Sequence, residues 1–469
     1  MPHDATASTR APVAPLQFYG GTLGALAPVC CFVAGVAALA LQGAPDEKGF
    51  WPVLLGALVL GLLLARDRHR YAEAMLDGMS QRVVMVMVCA WLFAGVLGAV
   101  LNAAGVVAAL AWLAQAMHVS GGAYVAVVFL ACVVVSTSTG TSFGTILLCG
   151  PLLYPAGAAA HADPAVLMGS ILAGATFGDS ISPVSDTTIA SSGSQHVDIA
   201  GTVRQRLRYV IPAGLLALLA AFIFGGAEAA SAGLTPPSGE GADVQRRALL
   251  LFASPALVIA MLLRARHLIE ALLTGIASAV LLALVLGVLA PSALLHIDAA
   301  RFGATGVLVD GMQRSVGVIV FTLLLVALVG TVQATDLLDR LVRFASGKAA
   351  TRRAGETWIV AVVSGAVLLT THSVVAILAV GEFARQTGAR VGLSGYRRAN
   401  LLDLTVCTWP FLLPYFLPTI LASSASQSGA SMGMPLLSPA TIGLHNAYAW
   451  GLVLMMLVAV LTGYGRDDR

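Results

Sequence analysis

The run GDSISPVSDTT, residues 178–188, carries two carboxylates and five hydroxyls around Pro183, in the middle of a stretch (165–190) that is apolar at its ends. Proline lacks the amide that a helix needs and clashes with the preceding turn, so regular helix cannot run through this centre. In a soluble chain the run would be an ordinary loop. This chain is different: 58% of its 469 residues are hydrophobic and 10% are charged, with a mean hydropathy of +0.88. Soluble domains carry about 25% charged residues, and surface-to-volume scaling prevents a soluble protein of this size from hiding so much apolar sequence. The broken run therefore lies at membrane depth, inside a polytopic helical protein.

Spanning helices need roughly 20 mostly apolar residues. The clear candidates are 22–41, 50–65, 83–101, 208–227, 248–263, 268–290, 315–333 and 442–463. Three further stretches share the interrupted pattern: 122–150 around STSTGTSFGT (136–145), 357–380 around LTTHSVVA (369–376), and 398–422 around DLTVCTWPFLLP (403–414). Residues 1–18, with Asp4 and Arg10 among them, do not make a secretory signal. They and the Gly/Ser/Pro-rich loop around Ser231 to Asp243, within an external linker 231–246, are expected to be disordered.

Basic loops favour the cytoplasm. Arginines at 66–82, at 204–208, at 264–266, at 340–353 and at 385–398 all belong there. Parity is satisfied if 122–150 enters and leaves from outside and 357–380 from inside, each as a re-entrant hairpin. Residues 19–230 and 247–469 then form two inverted-topology repeats, with about ten transmembrane helices, two re-entrant hairpins, discontinuous helices at the midplane and both termini cytoplasmic. Amphipathic connectors are expected at 104–117 and at 336–346, the latter through Leu337, Leu338, Leu341 and Phe344.

Interrupted segments at corresponding positions of inverted halves point to a transport site. Hard cations prefer carboxylate, hydroxyl and carbonyl oxygen, which makes Asp179, Asp186 and Asp403 candidate sodium ligands. Intramembrane carboxylates cost at least ~2.5 kcal/mol on insertion scales and call for a function, although Asp at a half-helix N-terminus also serves as a cap. Ser182 and Thr187 belong to the same run. Thr139, Thr141 and Ser142 mark the first hairpin tip, Thr371, His372 and Ser373 the second, and Thr408 the last break. His372 is either a proton relay or a neutral buried histidine. Glu382 beside Arg385 fits a hairpin-end charge, Arg397 and Arg398 fit snorkelling anchors, and Trp409 and Tyr415 are placed to wall the cavity. No arginine occupies a break centre, which disfavours a dicarboxylate or phosphate cargo.

TGTSFGT (139–145), FGDSISPVSDTT (177–188), RRANLLDLTVC (397–407) and LLPY (412–415) together resemble the NhaC-type sodium/proton antiporter family of the wider ion-transporter superfamily. The resemblance implies exchange of cytoplasmic sodium for external protons across the inner membrane, a bundle with two re-entrant hairpins, and a homodimer by analogy. It also implicates Asp179, Ser182, Asp186 and Thr187, with Thr139, Thr141 and Ser142 opposite. Relatives with similar motifs move organic acids or amino acids, so a sodium- or proton-coupled carrier of a small organic solute is the second reading.

Other classes lack support. The charge of +3 from 26 basic and 23 acidic residues forms no long block, which excludes nucleic acid as a partner and leaves the lipid bilayer and small cations. The six cysteines have no metal-ligand spacing and read as small hydrophobes. No nucleophile and base pair or nucleotide loop marks an enzyme, and no cofactor is called for beyond sodium and protons as transported ions.

Overall fold

The computed structural model describes residues 15–41, 47–106, 109, 121–183, 185–226, 247–264, 267–298 and 303–466. The expected linker 231–246 and most of the expected connector 104–117 lie outside the described residues. Of the tail expected to be disordered over 1–18, the last residues are instead packed: Leu16 and Phe18 are buried, and the Leu16 amide donates to Ala334 O at 2.8 Å.

The first half runs α1 (Thr22–Leu41), α2 (Trp51–Leu64), α3 (Arg68–Met79), α4 (Arg82–Ala103), α5 (Gly122–Thr139), α6 (Ser142–Ala156), α7 (Pro164–Ile181), α8 (Asp186–Ser194) and α9 (Ile199–Phe224). The second half runs α10 (Ala253–Leu263), α11 (Leu268–Val285), α12 (Pro291–Leu294), α13 (Val307–Gln333), α14 (Leu337–Ala345), α15 (Arg352–Thr370), α16 (Ser373–Arg390), α17 (Gly395–Val406), α18 (Leu417–Ser426), α19 (Pro439–Leu444) and α20 (Ala447–Thr462). Among the described residues, seven helices are long and apolar enough to cross a membrane. Leu215, Leu219, Phe222 and Ile223 of α9 and Leu281 and Val285 of α11 point outward. Water would not tolerate such a belt, whereas lipid covers it.

Besides its helices the chain has one short antiparallel pair, β1 (His296–Asp298) with β2 (Gly303–Thr305), which leaves the all-α class unchanged. Other expectations need correction. The basic segment 66–82 is largely helix α3, capped by Asp67 accepting from the Arg70 amide at 2.9 Å. The apolar run expected from 208 begins earlier: α9 starts at Ile199, capped by Asp198, so Arg204, Arg206 and Arg208 are helical rather than loop residues. Arg204 and Arg208 are exposed, but Arg206 is fully buried. Arg397 does not snorkel either. It is buried against Glu356 at 2.9 Å, and Arg466 completes that cluster at 2.6 Å. Arg398 Nε donates to Gln195 Oε1 at 2.9 Å. The expected span 442–463 is split into α19 and α20.

One helix crossing positions the rest. Gly174 and Gly178, four apart on α7, lie against α5, where an added Cβ would come within 2.5 Å of Phe129 O and of Val133 O respectively. Small residues at this spacing let membrane helices touch backbone to backbone. Ser136 Oγ then donates to Ala175 O, and Ser182 Oγ to Thr137 O at 2.8 Å. Each such bond is worth about 0.6 kcal/mol in a bilayer setting, and together they hold the end of α7 beside the end of α5.

Candidate functional site

Four helix interruptions meet around one cavity of 260 Å³. At the first, α5 ends on Gly140 (φ 65°, ψ 26°) and Thr141 (φ −144°, ψ 115°) caps α6, its hydroxyl accepting from the Gly144 amide at 3.3 Å. At the second, α15 ends on Thr371 (φ 50°, ψ 13°) and His372 (φ −131°, ψ 116°) precedes α16. The two tips share one backbone path, left-handed residue then extended cap. Glycine adopts the first conformation freely; a β-branched threonine in it is an outlier of the kind that gathers at functional sites.

The third interruption separates α7 from α8. Asp179 lies in the last turn of α7, where a negative charge opposes the helix dipole. It is 6% exposed, and among the described residues nothing hydrogen-bonds its buried Oδ1. Asp179 stands at the C-terminal end of its helix, so N-terminal capping does not account for it. Asp186 opens α8, accepts from the Thr187 amide at 2.8 Å, and is exposed into the same cavity. A helix N-terminus favours that charge, so part of its presence is structural.

Of the twelve residues singled out in the sequence, the cavity wall brings together Thr141, Ser142, Asp179, Asp186, Thr187, Thr371, His372 and Ser373. The Nδ1 of His372 is buried with no partner among the described residues. Four stand back from the wall. Thr139 donates to Ser136 O at 3.4 Å, Ser182 to Thr137 O, and Thr408 to Leu404 O at 2.7 Å, all backbone contacts that brace the breaks. Asp403 is fully buried one layer behind. Trp409 and Tyr415 do not line the cavity: the Trp409 indole donates to Ser364 Oγ at 2.8 Å, and Tyr415 packs edge-on to Phe32.

Asp403 lies in the last turn of α17 and is neutralised by a residue that the sequence reading placed in a loop. Arg206 Nη2 donates to Asp403 Oδ2 at 2.7 Å, Nη1 to Ser180 O at 3.0 Å and Thr188 Oγ1 at 2.7 Å, and Nε to Asn400 Oδ1 at 3.0 Å. Ser191 Oγ donates to Asp403 Oδ2 at 2.9 Å. Thr187 Oγ1 and Cys407 Sγ donate to Oδ1 at 3.4 and 3.3 Å, and both also line the cavity. Arg206 therefore ties α7, α8, α9 and α17 into one node behind the wall. An arginine does approach the site, but its donors are spent inside the protein.

Among the described residues, no group of three or more His, Cys, Asp and Glu gathers to hold a metal ion. A cation in the cavity would rely on Asp179 and Asp186 with hydroxyls and carbonyls, a donor set suited to a hard monovalent ion.

These features define an integral membrane protein whose helices break around a buried, carboxylate-lined cavity. The resemblance to NhaC-type antiporters read from its motifs holds: a profile described as the Na+/H+ antiporter family matches residues 6–224. The Na+/H+ antiporter NhaC of Alkalihalophilus pseudofirmus is 29% identical over 236 residues, 49% of this chain and 50% of that protein. The malate-2H+/Na+-lactate antiporter of Bacillus subtilis is 30% identical over 36% of each chain, and the NhaC antiporter of the same organism 30% identical over 31% of this chain and 33% of its own. The chain thus matches half or less of the length of these curated relatives. The solved YdaH transporter of Alcanivorax borkumensis aligns over 93% of this chain and 99% of its own, at 14% identity and a TM-score of 0.43.

Proposed function

We propose that the chain is a cation-coupled secondary transporter, exchanging sodium for protons across the cytoplasmic membrane by alternating access. The observation that carries this is Asp179: a buried carboxylate with an unpaired oxygen, set in the wall of a cavity that Asp186 shares. Such a group holds either a proton or a sodium ion, and competition between the two couples their movements when the site changes sides only while loaded. Thr141, Ser142 and Thr187 supply oxygen ligands, and His372 is placed to pass protons.

The matching dihedral angles of the two tips support a two-fold internal repeat, with α5–α6 and α15–α16 as re-entrant hairpins from opposite sides. Both termini are then cytoplasmic, as are the start of α9 and the end of α16. Single cysteines introduced at the exposed positions 204 and 390 are expected to react with an impermeant thiol reagent from the cytoplasmic side only. Labelling of either from outside would break the inverted topology. Sodium and protons are the proposed cargo, and a homodimer, by analogy alone, the proposed assembly.

A coupled carrier of a small organic acid or amino acid is the second reading. The cavity, 260 Å³, far exceeds the ~10–15 Å³ that one water requires by a comparable measure. Phe143, Leu147, Val374 and Phe411 give it apolar walls, and one relative is a malate/lactate antiporter by name. Proteoliposomes with a trapped pH dye separate the two: sodium, lithium and potassium are added in turn, then organic acids and amino acids with sodium. Proton movement driven by sodium alone supports the antiporter; movement only when an organic solute is present supports the second reading.

A further inference from the structure

A second, smaller cavity of 70 Å³ lies beyond the first, between α4, α6, α13 and α18. The two share two wall residues, Trp91 and Leu147. Their order along the helices is the same on both. On α4, Val86 and Ala90 line the large cavity, Trp91 both, and Gly95 and Gly98 the small one. On α6, Ser142 and Gly144 line the large cavity, Leu147 both, and Pro151 the small one. The cavities therefore stand end to end along α4 and α6 with one partition between them. At a helical rise of 1.5 Å per residue, the small cavity continues about 12 Å past Trp91, as far as Ala99.

Its lining carries polar groups as well: Arg314, which is exposed, with Ser424, Gln427 and Ser428. The partition itself is 1% exposed at Trp91, whose carbonyl is held by Ser315 Oγ at 2.7 Å. An indole is the largest side chain available to close a gap between two helices, and a leucine opposite completes an apolar plug that no hydrated ion crosses.

We propose that Trp91 and Leu147 form the external gate of the transport site, and that the small cavity is the outer vestibule which this gate shuts off from it. This rests on the carrier reading and on the orientation proposed above, in which the C-terminal ends of α4 and α6 face outward. In the proposed cycle the large cavity serves the cytoplasmic side while this partition is shut. Moving the indole aside, or parting α4 from α6, joins the two cavities and gives the site to the other side.

The test uses the full chain in proteoliposomes. Trp91→Ala and Leu147→Ala are each expected to replace coupled exchange by a leak, with sodium and protons moving independently at least about tenfold faster than through the unmodified protein. In a background with the six native cysteines replaced, Thr141→Cys is expected to react with an impermeant thiol reagent from the cytoplasmic side alone, and from both sides once Trp91→Ala or Leu147→Ala is added. Ser424→Cys, with the gate intact, is expected to react from outside. Coupled, leak-free exchange in both alanine variants would overturn the gate, as would external labelling of Thr141→Cys with Trp91 in place, or no external labelling of Ser424→Cys. If the unmodified protein exchanges no ions, the carrier reading falls, while the labelling pattern still reports on the partition.

Discussion

Asp179→Asn is expected to abolish sodium/proton exchange, by at least about a hundredfold, the lower end of what removing a proton-transferring group costs, while the protein inserts normally and becomes no less stable. The two halves of this expectation come from the same fact. Asp179 is buried in the last turn of α7, its Oδ1 lacks a partner among the described residues, and the helix end it occupies disfavours negative charge. Asparagine keeps the shape and removes a charge that costs at least ~2.5 kcal/mol to keep in a membrane. Function lost with stability kept or gained is the signature of a residue retained for activity rather than folding. Thermal unfolding in detergent beside flux in proteoliposomes measures both; retained exchange would move the site elsewhere.

The opposite pattern is expected of Arg206→Ala. Removing the guanidinium strands Asp403 as an unpaired charge in a fully buried position and frees Ser180 O, Thr188 and Asn400 at once. Breaking such a pair from one side costs about 3–5 kcal/mol, so the variant is expected to lose much of its folded population. Arg206→Lys recovers little, because an ammonium cannot reproduce a planar fork spread over four partners. Arg206→Met combined with Asp403→Leu is expected to restore stability without transport, since replacing both members of a buried pair is often neutral. Arg204→Ala, two residues away and exposed, serves as the control and is expected to stay within about 0.5 kcal/mol. Equal unfolding temperatures for Arg204→Ala and Arg206→Ala would remove the node from the account.

Backbone interruptions were readable because their cause is local. Pro183, the glycine at 140 and the hydroxyl-rich centres oppose helix wherever they stand, and α5–α6, α7–α8, α15–α16 and α17–α18 are broken at those places. Arg206 was misplaced because hydropathy marks where the apolar run begins, near residue 208, and not where the helix begins, at Ile199. A helical signal was nevertheless present: Thr202, Arg206, Tyr209, Val210 and Ala213 follow a spacing of three to four and share the buried face. Arg397 was misread for another reason, its partner Glu356 being 41 residues away. Counting basic residues gives topology only if each meets water or headgroups, and these two do not. Gly174 and Gly178 carried a further signal, the four-residue spacing of a close crossing, that the polar run beside them obscured. The cavity's division at Trp91 and Leu147 was beyond any local pattern, since it depends on α4 and α6 running side by side.

The central claim is that one carboxylate, Asp179, takes sodium and protons in turn. Calorimetric titration of the purified protein with sodium, repeated in buffers of different ionisation enthalpy, counts the protons released per sodium bound. The account predicts proton release on binding, weaker sodium binding as pH falls, and loss of both in Asp179→Asn; sodium binding that releases no protons, or that survives unchanged in Asp179→Asn, would contradict it.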